Sequence, residues 1–182
     1  MKNRKFTTGL VRLSYANIWQ PKAFDGGIPK YSASLLIAKS DEKSVKRIND
    51  LFKSMLQDED VLSVLGKNVK NIDLPLRDGD LREDSNYHDQ YYLNAKANES
   101  YPPKIFNFER EEVVDKAEVY SGCYVQAVLT FYPYNKNGNK GIGVSLGAIR
   151  KIKDGEPFSS AGASASDFDD DLIGKNDINS IF

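Results

Sequence analysis

Carboxylates crowd into one short segment, DLPLRDGDLRED, residues 73–84. Carboxylate oxygens are the ligands that Mg²⁺ prefers, and metal-dependent nucleases hold the ion with such groups. However, Arg77 and Arg82 are interleaved with the acids and would pair with them, and Asp78-Gly79-Asp80 is typical of a surface turn. We therefore predict a surface loop without a metal, and keep a Mg²⁺-dependent nuclease as an alternative. The carboxylates are Asp73, Asp78, Asp80, Glu83 and Asp84.

Aromatic residues near Lys or Arg are a second set that could do chemistry. Bases of a single nucleic-acid strand stack on aromatic rings while cations contact the phosphates, so this combination is typical of a sequence-tolerant binding groove. The alternative is that most tyrosines are half-buried strand residues. Our candidates for stacking are Trp19, Tyr91, Tyr124, Tyr132 and Tyr134. Our candidates for phosphate contacts are Lys30, Arg77, Lys96, Lys104, Lys140, Arg150 and Lys151.

The remaining reactive residues do not form a catalytic set. One His and one Cys cannot complete a zinc site with the usual ligands, and no Ser-His or Cys-His pairing stands out. The glycines of GIGVSLG do not have the dinucleotide-binding spacing, and no phosphate-binding P-loop occurs. We therefore predict a protein that is not an enzyme and that needs no cofactor.

Charge divides the chain into two parts. Residues 1–158 carry 24 Lys and Arg against 21 Asp and Glu, whereas residues 159–182 carry one Lys against five Asp. The second part opens with SSAGASAS, which is too poor in apolar groups to repay the entropy of ordering. We predict a folded domain over 1–158, followed by a flexible linker and a disordered acidic tail over 159–182.

The tail is expected to have two roles. A tethered polyanion competes with nucleic acid for a basic groove, and an apolar ring beside a carboxylate can anchor in a pocket of a partner protein. The alternative is a solvated end that aids solubility. The predicted partner-binding residues are Asp169, Asp170, Asp171, Ile181 and Phe182.

No segment is predicted to cross a membrane. The longest apolar run is Leu35 to Ala38, and Arg12 interrupts the start before a signal peptide could form. Cys123 lies in an alternating apolar stretch, so we expect a buried, inert thiol, in keeping with a cytoplasmic protein.

The elements that must position these side chains are mostly strands. In CYVQAVLTF, apolar residues alternate with the set Tyr124, Gln126, Val128, Thr130 and Tyr132, as in a half-buried strand. Asn137-Gly138 then predicts a hairpin turn. Further strands are predicted in FTTGLVRLSY, KYSASLLIAK, YYLNAKANE and PKIFNFE.

One long helix is predicted between the strands. Asp41 is its N-cap, and apolar residues recur at helical spacing from Val45 to Leu56. The chain is therefore expected to be mainly β with one helix, an antiparallel β-barrel or sandwich.

Four stretches resemble a known family in collinear order: LSY with KYSASLLIAKSD, LPLRDGD, SGCYVQAVLTFYPYNKNGNKGIGVSL and KIKDGEPF. Across most of residues 8–158 they are similar to the single-stranded DNA-binding proteins of tailed phages, a group once catalogued as a domain of unknown function. The resemblance implies an OB-fold-like barrel that coats single-stranded DNA during replication and recombination. The acidic end is similar to the tails of bacterial and short-tailed-phage single-stranded DNA-binding proteins, although IGKNDINS separates Asp171 from Ile181 here.

We therefore predict a phage protein in the host cytoplasm that binds single-stranded DNA with little sequence preference. Its other expected partners are replication or recombination proteins, which would bind the tail. A homo-oligomer is left open. The main alternative is a strand-annealing or recombination mediator that acts chiefly through protein partners.

Overall fold

A computed structural model describes residues 4–66 and 68–158 of the chain. The predicted linker and tail, 159–182, lie outside these residues. Within the described part, no helix is long and apolar enough to cross a membrane. The strands are β1 (Arg4–Thr7), β2 (Val11–Lys22), β3 (Lys30–Ala38), β4 (Arg77–Asp78), β5 (Gln90–Asn98), β6 (Lys104–Phe106), β7 (Tyr124–Lys136) and β8 (Asn139–Lys153), and the α-helices are α1 (Glu42–Met55) and α2 (Glu59–Leu65).

Five of the strands close into a ring. β2, β3 and β5 pair antiparallel in sequence order, β7 and β8 form a hairpin, and the ring is closed by β2 with β7 and by β5 with β8. The β5–β8 pair is parallel, whereas the sequence predicted an antiparallel barrel throughout. The ring resembles an OB-fold barrel, as predicted. β1, β4 and β6 extend its rim.

Strand β7 confirms the predicted alternation. Val125, Ala127, Leu129 and Phe131 are fully buried, whereas the residues between them are half-buried or exposed. The predicted hairpin is also confirmed, because Lys136 pairs with Asn139 across a two-residue turn. Asn137 and Gly138 both have positive φ there, 52° and 83°, as this turn requires.

The prediction of one long helix is wrong, because the described residues contain two α-helices. Asp41 caps α1 as expected, and its side chain accepts a hydrogen bond from the Ser44 amide. Asp58 then caps a second helix by accepting from the amides of Asp60 and Val61. The predicted helix ended at Leu56, and this second N-cap signal was not part of the prediction.

The core lies between the ring and the helices. Phe131 of β7 packs edge-on against Phe52 of α1, with ring centroids 5.5 Å apart, and against Phe6 of β1 at 5.8 Å. Cys123 is fully buried, as predicted, and this burial raises the pKa of its thiol.

Candidate nucleic-acid interface

A groove of about 1230 Å³ runs across one face of the ring. Its floor is formed by β3 and β5, and its walls by parts of β2, β7 and β8, by Phe24 in the loop after β2, and by the segment before β5. Of the described lining residues, five are basic and two are acidic. The basic residues are Lys22, Lys30, Arg77, Arg82 and Lys96, and the acidic residues are Asp73 and Asp84.

The strand register explains how the floor is assembled. Lys30 pairs with Asn98, Ser32 with Lys96, and Ser34 with Asn94, so these polar side chains share one face of the sheet. The Ser34 hydroxyl donates to Oδ1 of Asn94 at 2.6 Å. The floor therefore combines hydrogen-bonding side chains with two ammonium groups.

Aromatic rings stand along the walls of the groove. The exposed ring of Tyr132 lies over Gly143, its cross-strand partner, and the hydroxyl of Tyr134 donates to Asp73 at 3.0 Å. Burial and the hydrogen bond to Asp73 raise the pKa of the Tyr134 phenol, so it stays neutral near pH 7. The groove lining therefore contains both aromatic side chains and cations, the combination that binds single-stranded nucleic acid. The aromatic lining residues are Tyr15, Phe24, Tyr120, Tyr132, Tyr134 and Phe158.

Five of the twelve predicted DNA-contacting residues line this groove. They are Lys30, Arg77, Lys96, Tyr132 and Tyr134. Arg77 also pairs with Asp73 at 3.0 Å, so it is both a wall residue and the partner of an acid, as the sequence suggested.

The three other predicted aromatic residues lie outside the groove. The Trp19 indole is packed against the core, and its Nε1 donates to the carbonyl of Val119 at 3.2 Å. The Tyr91 ring contacts the Lys39 ammonium, 5.0 Å from the ring centroid. Tyr124 lies beneath the guanidinium of Arg12. The DNA contacts of Trp19, Tyr91 and Tyr124 stay predictions.

The four other predicted cations also lie outside the groove. Lys140 donates to the carbonyls of Leu65 and Asn68 and borders a smaller cavity of about 640 Å³ beside the β7–β8 turn. Arg150 donates to the carbonyl of Phe108, and Lys151 pairs with Asp154 at 2.7 Å. Lys104 is exposed on β6. Their contacts with DNA also stay predictions: Lys104, Lys140, Arg150 and Lys151.

Several residues that line the groove were not among the predicted contacts. Lys22 and Phe24 precede the glycine-rich turn after β2, and Lys22 Nζ lies 5.4 Å from the centroid of the Phe24 ring. An aromatic residue so close to a cation in the sequence could have identified both as candidate DNA contacts. Tyr15 and Arg82 gave no comparable signal, because their positions depend on a bulge in β2 and on tertiary contacts.

The carboxylate segment takes up internal contacts. Lys39 binds both Asp78, at 2.6 Å, and Asp80, at 2.5 Å, and its ammonium lowers the pKa of both carboxyl groups. Among the described residues, no group of three or more His, Cys, Asp or Glu side chains is placed to hold a metal ion. Arg82, which was expected to pair with these acids, lies instead over tyrosine rings.

The chain is similar in sequence to one protein family and to a phage protein. The model of the family described as Enterobacter phage Enc34, ssDNA-binding protein, matches residues 4–178. Putative protein p50 of Acyrthosiphon pisum secondary endosymbiont phage 1 is 34% identical over 167 residues, which cover 88% of this chain and 90% of that protein.

Two solved structures extend the comparison. The single-stranded DNA-binding protein from bacteriophage Enc34, in complex with ssDNA, superposes with a TM-score of 0.72 at 29% identity, over 85% of this chain and 89% of that chain. The bacteriophage T7 protein gp2.5, a single-stranded DNA-binding protein, gives a TM-score of 0.64 at 14% identity, over 90% and 99% of the two chains. At that identity, the second likeness shows the fold alone.

Proposed function

The chain belongs to the family described as Enterobacter phage Enc34, ssDNA-binding protein, and on that premise we propose that it coats single-stranded DNA with little sequence preference. The proposal extends to action during phage replication and recombination in the host cytoplasm, without catalysis. The observation that carries it is the groove, in which five cations and several exposed aromatic side chains lie on one face of an OB-like β-barrel.

The position of the groove supports this function. OB folds bind oligonucleotides on their second and third strands and at the loops between strands one and two and between strands four and five. The corresponding ring strands here are β3 and β5, which form the groove floor. Phe24 stands in the first of these loops, and the β7–β8 turn is the second. The groove floor and the first loop therefore correspond to the usual oligonucleotide-binding surface of the fold, which supports the proposal.

The mix of lining groups favours low sequence preference. Ammonium and guanidinium groups attract phosphates regardless of the base, and every base has a face that can stack on a tyrosine. The proposed tail function is that the acidic residues after 158 compete with DNA for this positive groove and bind replication or recombination proteins. That segment lies outside the described residues, and its sequence charge supports the proposal.

The test is a fluorescence-anisotropy titration of a labelled poly-dT oligonucleotide and of a duplex of equal length, over a range of salt concentrations. We expect tighter binding to the single strand, with log K falling against log salt by about 0.7 for each phosphate neutralised. Equal or absent binding to both would overturn the proposal. Adding Mg²⁺ to the same samples tests the nuclease alternative, because cleavage lost on Asp78→Ala would favour an enzyme.

A matched pair of variants locates the binding surface. Lys96→Ala removes a cation from the groove floor and should reduce the salt slope by about 0.7. Lys43→Ala removes an exposed cation from α1, away from the groove, and should leave the slope unchanged. Equal effects of the two substitutions would indicate that binding is not confined to the groove.

A further inference from the structure

Tyr15 has an unusual backbone conformation beside the groove. The pairing of β2 with β3 shifts register between Ser14 and Asn17, and Tyr15, inside this bulge, has a φ of 44°. Aromatic residues rarely adopt this left-handed region, which glycine or asparagine usually occupies. Bulges redirect a side chain out of the regular alternation of a strand. Here Tyr15 lines the groove, and the residue is 55% exposed.

The exposed ring is nevertheless held in one orientation. Its hydroxyl donates to Oδ2 of Asp84 at 3.1 Å, and burial together with this hydrogen bond raises the pKa of the phenol. The ring also lies against Tyr87, with centroids 6.2 Å apart and planes tilted by 39°. Tyr87 is itself fully buried and donates to the Ser14 hydroxyl, so the support for Tyr15 is rigid.

A guanidinium group lies beside this ring. Arg82 is placed over three tyrosine rings, 4.4 Å from the centroid of Tyr87, 5.3 Å from Tyr92 and 5.7 Å from Tyr15. In residues 4–66 and 68–158, no ion pair includes Arg82. Arg82 also hydrogen-bonds to Tyr92. Since a guanidinium has five N–H donors, this bond leaves others available, and Arg82 presents a fixed positive charge to the groove.

Structural packing explains only part of this cluster. Tyr87 and Tyr92 are buried and form a small core with Leu36, so their role is to support the fold. More than half of the surface of Tyr15 is exposed to solvent, so burial of this residue contributes little stability to offset the strain of its backbone. Strained residues persist mainly at functional sites, where the conformation serves binding or chemistry.

We infer that Tyr15 and Arg82 form a preformed nucleotide-binding site in the wall of the groove. One base stacks on the exposed face of Tyr15, and the guanidinium of Arg82 contacts a phosphate of the same strand segment. The inference rests on the proposed function and adds to it a defined stacking position, built by the β2 bulge and the segment between β4 and β5. Asp84 orients the ring through the phenol hydroxyl.

The experiment compares the full-length chain with Tyr15→Gly, Tyr15→Phe and Tyr101→Ala. Binding is measured to a short dT oligonucleotide and to versions in which one nucleotide at a time is abasic. Tyr15→Gly should weaken binding to intact dT by about tenfold. It should change the urea midpoint little, because glycine relieves the positive φ and this offsets the loss of the contacts with Asp84 and Tyr87. Tyr15→Phe keeps the ring and should lose much less affinity. Tyr101 is 76% exposed and does not line the groove, so Tyr101→Ala should bind like the wild type.

Abasic scanning distinguishes stacking from a general loss of affinity. For the wild type, one abasic position should weaken binding, and that penalty should disappear in Tyr15→Gly because both changes remove the same contact. A 5-iodouracil at that position should crosslink to Tyr15 on irradiation. Arg82→Lys should keep most of the salt slope but lose affinity, because lysine lacks the planar group that lies on the rings.

Failure of the inference can be told apart from failure of the proposed function. If the wild type prefers single-stranded dT and Tyr15→Gly binds equally well, the stacking site is wrong while the proposed function stands. If Tyr15→Gly loses affinity and stability together and Tyr15→Phe loses as much, Tyr15 is structural and the inference is also wrong. If the wild type shows no preference for a single strand, both fall.

Discussion

Gly143 supports the ring of Tyr132 in the wall of the groove. The two residues are cross-strand partners in the β7–β8 hairpin, and a Cβ at Gly143 would come 2.4 Å from Cζ of the ring. Because Gly143 has no side chain, the ring of Tyr132 can lie flat against the sheet at this position. Tyr132 keeps 38% of its surface exposed in this position, which leaves a face available for stacking.

The substitution Gly143→Ala should displace the Tyr132 ring and weaken single-stranded DNA binding by about fivefold, the cost of losing one modest stacking contact. Anisotropy titration with poly-dT measures the effect. Gly147→Ala is the matched control, because Gly147 is an exposed glycine of β8 away from the groove. A Cβ there would make a tight contact of 3.2 Å with the carbonyl oxygen of Val128, but it would touch no groove residue. Unchanged affinity in Gly143→Ala would show that the position of Tyr132 does not matter for binding.

A second residue-scale prediction concerns Lys39, whose hydrogen bonds lower the pKa of Asp78 and Asp80. With folded-state pKa values below the unfolded value of about 3.9, the unfolded chain binds more protons in the acid range. The stabilisation is therefore present above that value and is lost as the pH falls through the folded-state pKa values.

Lys39→Met should accordingly flatten the decline of the unfolding free energy between roughly pH 5 and pH 2, because it removes the cation that lowers both pKa values. Urea unfolding at a series of pH values measures this change. Lys43→Met removes an exposed lysine from α1 and serves as the control. Parallel pH profiles for Lys39→Met and the wild type would contradict the assignment.

At the scale of elements, Asp58 separates the two helices and starts the second. Its side chain caps α2 and also pairs with Arg4 at the start of β1. The cap explains why a second helix follows α1: the chain leaves α1 after Met55 and re-enters a helix at Glu59, where Asp58 supplies an acceptor for the free amides.

Replacing Asp58 with Ala should therefore lower the free energy of unfolding by about 1 kcal/mol, as for other lost N-caps. Asp58→Asn keeps an acceptor for the amides of Asp60 and Val61 but loses the charge facing Arg4, so it should cost less. Urea denaturation of both variants measures the difference. Equal losses would assign the stabilisation to the Arg4 contact and not to the cap.

At the scale of the whole molecule, charge is distributed unevenly along the chain. Residues 1–158 are net basic and residues 159–182 net acidic, and the family match extends to residue 178, past the acidic run at 167–171. Carboxylates repel DNA phosphates and compete with them for the same Lys and Arg side chains, so the acidic segment should weaken DNA binding in a salt-dependent way.

A chain ending at residue 158 should thus bind poly-dT more tightly than the full chain at low salt. The difference should shrink at about 0.15 M salt and above, where charges are screened beyond about 8 Å. A full-length variant with Asn at Asp167, Asp169, Asp170 and Asp171 keeps the length and removes the charge, and it should match the truncated chain. If truncation lowers the affinity, the competition model is wrong.

Local patterns were sufficient for most elements of this protein. Three predictions are confirmed: the alternation in β7, the Asn137-Gly138 turn and the Asp41 cap. Each depends only on residues that are close together in the sequence. Side-chain period and turn chemistry are encoded at that range. The collinear motifs indicated the family for the same reason, since they could be read without knowing the fold.

The groove depended on the tertiary structure. Ser32 and Lys96 meet only because β3 and β5 pair in one register. Lys151 pairs with Asp154 and lies outside the groove, although the sequence around it is as basic as that around Lys96. Tyr15 reaches the groove because of a bulge in β2, which no local sequence pattern predicted. The sequence by itself determined the strand faces, the turns and the chemical character of the surface. Only the folded ring decided which cations and rings share one groove, because that depends on pairing between strands far apart in the chain.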